Sequence, residues 1–228
     1  MRLRVQRIIG KKRLPGLFRR FWGNDPVARI VKFNLSRLIA AVLRHSTVLR
    51  TRWRRIWGHA HLAAGIRHPL PASVVVLGRP EVYGTGNIVF GSDVLLYPHV
   101  YLETHGEGRI TIGNDVVVSS GTHIVSRASV TIGQGTMIGE LTSIRDANHT
   151  RTLGKSLRRS DDIATPIVIG KEVWIGRGVA VLKGVTIGDY VTVGANAVVN
   201  RDVPSQTVVA GVPARAMNSR AEDNVVSA

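Results

Sequence analysis

Cysteine is absent from this 228-residue chain, which excludes disulfides and thiolate metal sites. A reducing compartment is compatible with that absence. Long apolar runs are missing as well: no stretch approaches the roughly 18 residues that a membrane-spanning helix requires. The N-terminus lacks the apolar core and small-residue cleavage site of a secretory signal, so none is expected. Acidic residues are scarce in one region. Residues 1–70 carry 17 Lys/Arg against the single acid Asp25, whereas residues 71–228 carry 14 of each sign. The formal charge of +16 therefore belongs to the N-terminal third. A boundary is expected near His68-Pro69-Leu70-Pro71, where the charge changes and prolines punctuate the chain.

What the remainder has is a beat. Apolar side chains fall six apart at Phe90, Leu96, Leu102; Ile112, Val118, Ile124; Ile132, Ile138, Ile144; and Ile169, Ile175, Val181, Ile187, Val193, Val199. Two residues before each stands a second small or β-branched residue, from Ile88 and Val94 through Thr136 to Ala197. Alternation in pairs is strand geometry, and a helix of 3.6 residues per turn would smear a period of six around its circumference. Eight beats are followed directly by glycine (Gly91, Gly113, Gly133, Gly139, Gly170, Gly176, Gly188, Gly194), expected here to accommodate tight-corner backbone angles.

Short strands and corners without long connections predict a parallel β-helix with three hexapeptides per coil and an apolar interior. An antiparallel sandwich, the alternative, repeats its strands at about 8–12 residues. Interruptions after Leu102, Ile124 and Ile144 become loops at coil corners. The longest, residues 145–166, must leave the prism, and long loops on rigid scaffolds often carry function. The expected organisation is a basic helical extension over 1–70, a β-helix domain over 71–217 with its protruding loop, and a tail over 218–228.

The basic third reads as helical. Asp25-Pro26 looks like an N-cap followed by proline in the first turn. Val31, Leu35, Leu38 and Val42 share one face, with Arg29, Arg37 and Arg44 on another. A second segment, Thr47 to His59, sets Trp53 and Trp57 among Arg50, Arg52, Arg54 and Arg55; Trp22 is a third tryptophan of this region. Cations interleaved with tryptophan suit an anionic membrane surface. Packing of these helices on the β-helix or on a neighbouring subunit is the alternative. Nucleic acid is a poorer fit, since no reader motif accompanies the charge.

His149 heads the long loop in the run Ser143-Ile144-Arg145-Asp146-Ala147-Asn148-His149-Thr150. A neutral imidazole takes a hydroxyl proton near neutral pH, which makes it a candidate general base. Asp146 stands close enough in sequence to orient that ring or to bind the acceptor. The stretch Pro166 to Met217, PIVIGKEVWIGRGVAVLKGVTIGDYVTVGANAVVNRDVPSQTVVAGVPARAM, then resembles the C-terminal signature of hexapeptide-repeat acyltransferases. It is most similar to the maltose, galactoside and nodulation-sugar O-acetyltransferases and their polysaccharide-modifying relatives. The likeness covers roughly residues 88–217; the first 70 lie outside it.

The resemblance implies an all-β core, a left-handed parallel β-helix, carrying here a basic α-helical extension. It also implies a homotrimer with acyl-CoA in the clefts between prisms, and His149 as the catalytic histidine. On the same ground Trp174 of the WIG motif lines the acyl-CoA site, the Ala195 backbone meets the pantetheine arm, and Arg215 of GVPAR lies near the CoA phosphates. Arg177 stands where the family often has serine, leaving its backbone N–H for the oxyanion, and Asn200 replaces a common threonine near the cofactor. His99, His105 and His123 raise a zinc alternative known among hexapeptide proteins, but their spacing lacks that group's close histidine pair, and no metal is expected.

The function expected is acetyl-CoA-dependent O-acetylation of a sugar hydroxyl, on a lipid-linked or cell-envelope saccharide at the cytoplasmic membrane face. Loop residues Arg151, Lys155, Arg158 and Arg159 would favour an anionic acceptor. The alternatives are N-acylation of an amino-sugar, acylation of serine, and a non-catalytic β-helix scaffold.

Overall fold

The computed structural model describes residues 26–217, apart from 152, 155, 157, 159 and 161. The beat and its partner positions build three parallel sheets. Face 1 is the eight-stranded sheet that begins at Val75–Val76, face 2 the six-stranded sheet from Glu81–Gly84, and face 3 the five-stranded sheet from Ile88–Phe90. The chain visits them in the order 1, 2, 3 and repeats, which makes about six coils of a three-sided prism. All strand pairings within the three faces are parallel, except where Arg215–Ala216 turns back against Val208–Ala210.

Every one of the fifteen beat residues is buried, Phe90 being the most accessible at 5%. Their fifteen partners, two positions earlier, are buried too. Each buried aliphatic side chain contributes about 1.5–3 kcal/mol, an upper figure because unfolded chains already bury some surface. Three interior partners are threonines rather than aliphatics. Their hydroxyls donate to the next coil's carbonyls: Thr122 to Gly139 at 3.3 Å, Thr136 to Gly170 at 2.9 Å and Thr142 to Gly176 at 3.2 Å.

The glycines after the beat play a different part from the one expected. None of the eight has a positive φ; the left-handed residue comes two positions later, as at Asp93, Asp115, Gly135 and Asn196. Glycine follows the beat because coils stack closely there. A Cβ on Gly133 would lie 2.5 Å from the Gly170 carbonyl carbon, and one on Gly139 would lie 2.6 Å from the Arg177 nitrogen. Gly133→Ala should therefore cost about 1–3 kcal/mol by overpacking against backbone. Urea denaturation measures it, and an unchanged midpoint would contradict the stacking account.

The two helical segments expected are one, α1, running Pro26–Gly65; the Asp25 cap, like Trp22, lies outside the described residues. Residues from Arg52 onward belong to the compact unit that contains the prism, and those up to Thr51 to a separate unit. In the compact unit, Leu62 is fully buried in the core with Val74 and Val76, and Gly58 lies against the Val76 side chain. The α1 end thus closes the first coil. The helix keeps another face bare: Val31, Leu35, Leu38, Ile39, Val42, Leu49, Trp53, Ile56 and Trp57 are all exposed.

Candidate active site

Between face 2 and face 3 of the fourth coil the chain departs from the prism. Strand Ala147–His149 runs antiparallel to Asp162–Ala164, so residues 147–164 form a hairpin. In its register His149 stands directly opposite Asp162, which puts both side chains on one face of the pair. The ring nitrogen Nδ1 lies 2.6 Å from Asp162 Oδ1. The other carboxylate oxygen accepts from Arg127 Nε at 2.7 Å. Asp162 is thus a mostly buried acceptor between two donors, while 68% of the His149 side chain reaches solvent. In a neutral ring, an Nδ1 hydrogen directed at the carboxylate would leave the lone pair on Nε2. That is the tautomer a general base needs.

Asp146 does not touch the ring. Its side chain is fully buried, and its carboxylate accepts from the Ser126 hydroxyl at 2.9 Å and the backbone N–H groups of Arg127 at 2.8 Å and Ala128 at 2.9 Å. Asp146 fixes the corner carrying Arg127, Arg127 holds Asp162, and Asp162 orients His149. Three contacts separate Asp146 from the imidazole. Sequence reasoning missed Asp162 and Arg127. The only signal for Asp162 was an acidic residue in the returning limb of the loop, without a register to pair it.

The expected donor-binding residues gather elsewhere. On face 1, the outward residues Met137, Trp174 and Thr192 stand in register on successive coils. With Ser119, Arg177 and Ala195 they line a groove of about 450 Å³. Trp174 is 59% exposed there, a flat apolar wall open to a ligand. Arg215 lies on the last strand of the same sheet, and Asn200 lies exposed just beyond strand Val198–Val199 of face 2. The hairpin that carries His149 leaves the corner between faces 2 and 3, whereas the groove lies on face 1 and the corner that follows it.

The histidines weighed for zinc are dispersed in role. His105 Nε2 pairs with Glu103 at 2.8 Å, the His123 ring stacks on Tyr101, and His99 occupies a left-handed corner. Among the described residues no group of three or more His, Asp or Glu side chains could hold a metal ion.

The model of the bacterial transferase hexapeptide (six repeats) matches residues 166–201. An Escherichia coli (strain K12) protein is 38% identical over 143 residues, covering 57% of this chain and 70% of its own length. Its name, WbbJ, is given provisionally as a lipopolysaccharide biosynthesis O-acetyl transferase. This chain belongs to the hexapeptide-repeat acyltransferases. Among solved structures, AntD, an N-acyltransferase from Bacillus cereus held with dTDP and 3-hydroxybutyryl-CoA, superposes with a TM-score of 0.57. It shares 20% identity over 65% of this chain and 80% of its own. A variant of AntD with dTDP-4-amino-4,6-dideoxyglucose and coenzyme A gives the same TM-score and identity, over 64% and 80%. At that identity the likeness is one of fold, the left-handed parallel β-helix of hexapeptide-repeat acyltransferases.

Proposed function

We propose that this protein transfers an acetyl group from acetyl-CoA to a hydroxyl of a cell-envelope saccharide, with His149 as general base. The observation that carries this reading is the oriented His149–Asp162 pair on the hairpin that leaves the fourth coil. Nε2 takes the acceptor hydroxyl proton as the oxygen attacks the thioester carbonyl carbon. The tetrahedral oxyanion is met by backbone N–H at Arg177, the C–S bond breaks, and the imidazolium returns its proton to the departing thiolate. The donor lies in the face 1 groove with its pantetheine arm against Trp174 and Ala195, and its phosphates toward Arg215.

In this reading the complete site takes His149 from one copy and the groove from its neighbour, which the separate placement of hairpin and groove on the prism supports. A homotrimer supplies three such sites. The O-acetyl transferase name of the Escherichia coli relative supports a hydroxyl acceptor in a saccharide. The test is release of CoA thiol from acetyl-CoA across a panel of saccharides, amino-sugars and serine. Turnover only with amines would move the reading to N-acylation, and no turnover with any acceptor would favour the scaffold reading.

Asp162→Asn should lower kcat by roughly 10–100-fold, because an amide can present N–H to Nδ1 and turn the lone pair away from the acceptor. Binding of acetyl-CoA should stay unchanged, since Asp162 lies outside the groove. Equal kcat in wild type and variant would contradict the orienting role.

The α1 face supports work at an anionic membrane. Eight cations and no acid lie between Pro26 and Gly65. The stripe Val31, Leu35, Leu38, Val42, Ser46, Leu49, Trp53, Ile56 and Ala60 recurs at about 3.6 residues, the period of a straight surface helix. A coiled coil between copies needs 3.5, and continuing the Leu38–Val42 heptad lands on His45 and Arg52. None of the described helices is long and apolar enough to cross a membrane, so the mode proposed is in-plane contact. Replacing Trp53 and Trp57 together with serine should weaken cosedimentation with phosphatidylglycerol vesicles about tenfold at low salt. Undiminished binding would remove the membrane from the account.

A further inference from the structure

Five successive coils turn the corner after face 1 through a residue with left-handed backbone: His99, Gly121, Leu141, Gly178 and Asn196, with φ between 57° and 70°. Glycine and asparagine adopt that conformation readily, whereas a bulky branched side chain is strained in it. Leu141 is the outlier of the column. Burial does not explain it, since its side chain is 57% exposed. It lies over Gly121, where an added Cβ would come within 2.7 Å of Leu141 Cδ2. The fold thus clears a place for this leucine and leaves its outer surface bare. Strain held without an internal contact to balance it points to a contact made outside the chain.

The corner adjoins the donor groove. Gly178 N–H donates to the Glu140 carbonyl at 2.7 Å, which stacks the Glu140–Leu141 corner on that of Arg177. Glu140 itself lines the groove and is exposed. An acid and a leucine therefore stand one coil from the backbone N–H assigned to the oxyanion. The hairpin that carries His149 shows the complementary pair. Just beyond the histidine it presents Arg151, also exposed, and Leu153, which is 95% exposed in the turn that follows. None of the ion pairs among the described residues involves Glu140 or Arg151.

We infer that the hairpin latches onto the neighbouring copy: Leu153 of one chain packs against Leu141 of the next, and Arg151 faces its Glu140. The inference rests on the reading in which His149 serves a neighbour's groove, and it assigns the residues that hold the imidazole there. All four are positioning residues, since none touches the reacting atoms. Leu153 stands four residues beyond His149, a reach of about 13 Å at most, and the corner lies one strand spacing of about 4.8 Å from Arg177. Both contacts therefore fit one hairpin. Within its own chain His149 is held only through Asp162, and a second anchor on the neighbour fixes its distance to the thioester, where a displacement of about 1 Å can cost ~10²-fold in rate.

Because the chain has no cysteine, Leu141→Cys combined with Leu153→Cys in the full-length protein supplies its only thiols. A short bismaleimide should then join copies into covalent dimers and trimers on a denaturing gel, whereas either single variant should remain a single chain. Leu141→Asn keeps a residue suited to the left-handed backbone and removes the apolar contact. It should lower kcat about tenfold, with KM for acetyl-CoA and the melting temperature unchanged. Arg151→Glu should lower kcat about fivefold, and adding Glu140→Arg should restore most of the loss, a rescue that a merely structural role would not give. Single chains from the double-cysteine variant, or wild-type kcat in Leu141→Asn, would overturn the latch. If activity still returns when His149→Ala chains are mixed with groove-blocked chains, the shared site stands without it. Crosslinking without turnover of any saccharide counts against the enzyme reading alone.

Discussion

His149→Ala is expected to lower kcat for acetyl transfer by about 10²–10⁴-fold, with KM for acetyl-CoA and thermal stability close to wild type. The stability half follows from exposure: 68% of the side chain lies in solvent, so truncation leaves no cavity and exposes no new buried surface. The rate half follows from the orientation of the ring. Asp162 engages Nδ1, which leaves Nε2 as the group able to take a hydroxyl proton. The variant would still hold the thioester in the groove and lose only the proton transfer. Stopped-assay kinetics with a saccharide acceptor, alongside a melting curve, separate the two. Unaltered turnover would mean that another group activates the hydroxyl.

Asp146→Ala should do something different: destabilise the chain by about 2–5 kcal/mol and lose activity with it. The buried carboxylate is the acceptor for two backbone N–H groups, at Arg127 and Ala128, and for the Ser126 hydroxyl. Alanine strands those donors away from water, each at about 1–3 kcal/mol before relaxation. The corner they form also aims Arg127 at Asp162, so the loosened corner frees the carboxylate that holds His149. Urea unfolding of the variant reads the first effect. Stability equal to wild type would show that the corner stands without its carboxylate.

These two aspartates mark how far the sequence alone could be read. The prism was legible because a six-residue beat admits one inward pattern, and the residues from Phe90 to Val199 on that beat are all interior. The glycines were legible as necessary but not for their reason, since close coil stacking is a relation between residues at least 16 positions apart, as Gly194 and Ala210 are. Gly139 meeting Arg177 across the long loop is the extreme case. The single helix α1 was read as two because its apolar face is unpartnered, and propensity in Ser46-Thr47-Val48 is weak. At the site, the histidine stood out through its chemistry and its place at the exit from the coil. Its orienting partner did not, because the pairing of His149 with Asp162 is a hairpin register across the intervening loop. Asp146, nearer in sequence, points into the prism.

The central claim is that one copy's His149 serves the groove of its neighbour, and mixing inactive chains tests it most directly. His149→Ala protein and Ala195→Trp protein, the second with its groove blocked, are co-expressed in equal amounts. If the site is shared between copies, about one quarter of all interfaces in the randomly assembled trimers unite an intact histidine with an intact groove, and about that fraction of wild-type activity returns. If each chain builds its own site, the mixture stays as inactive as its parents, and the account of the active site is wrong.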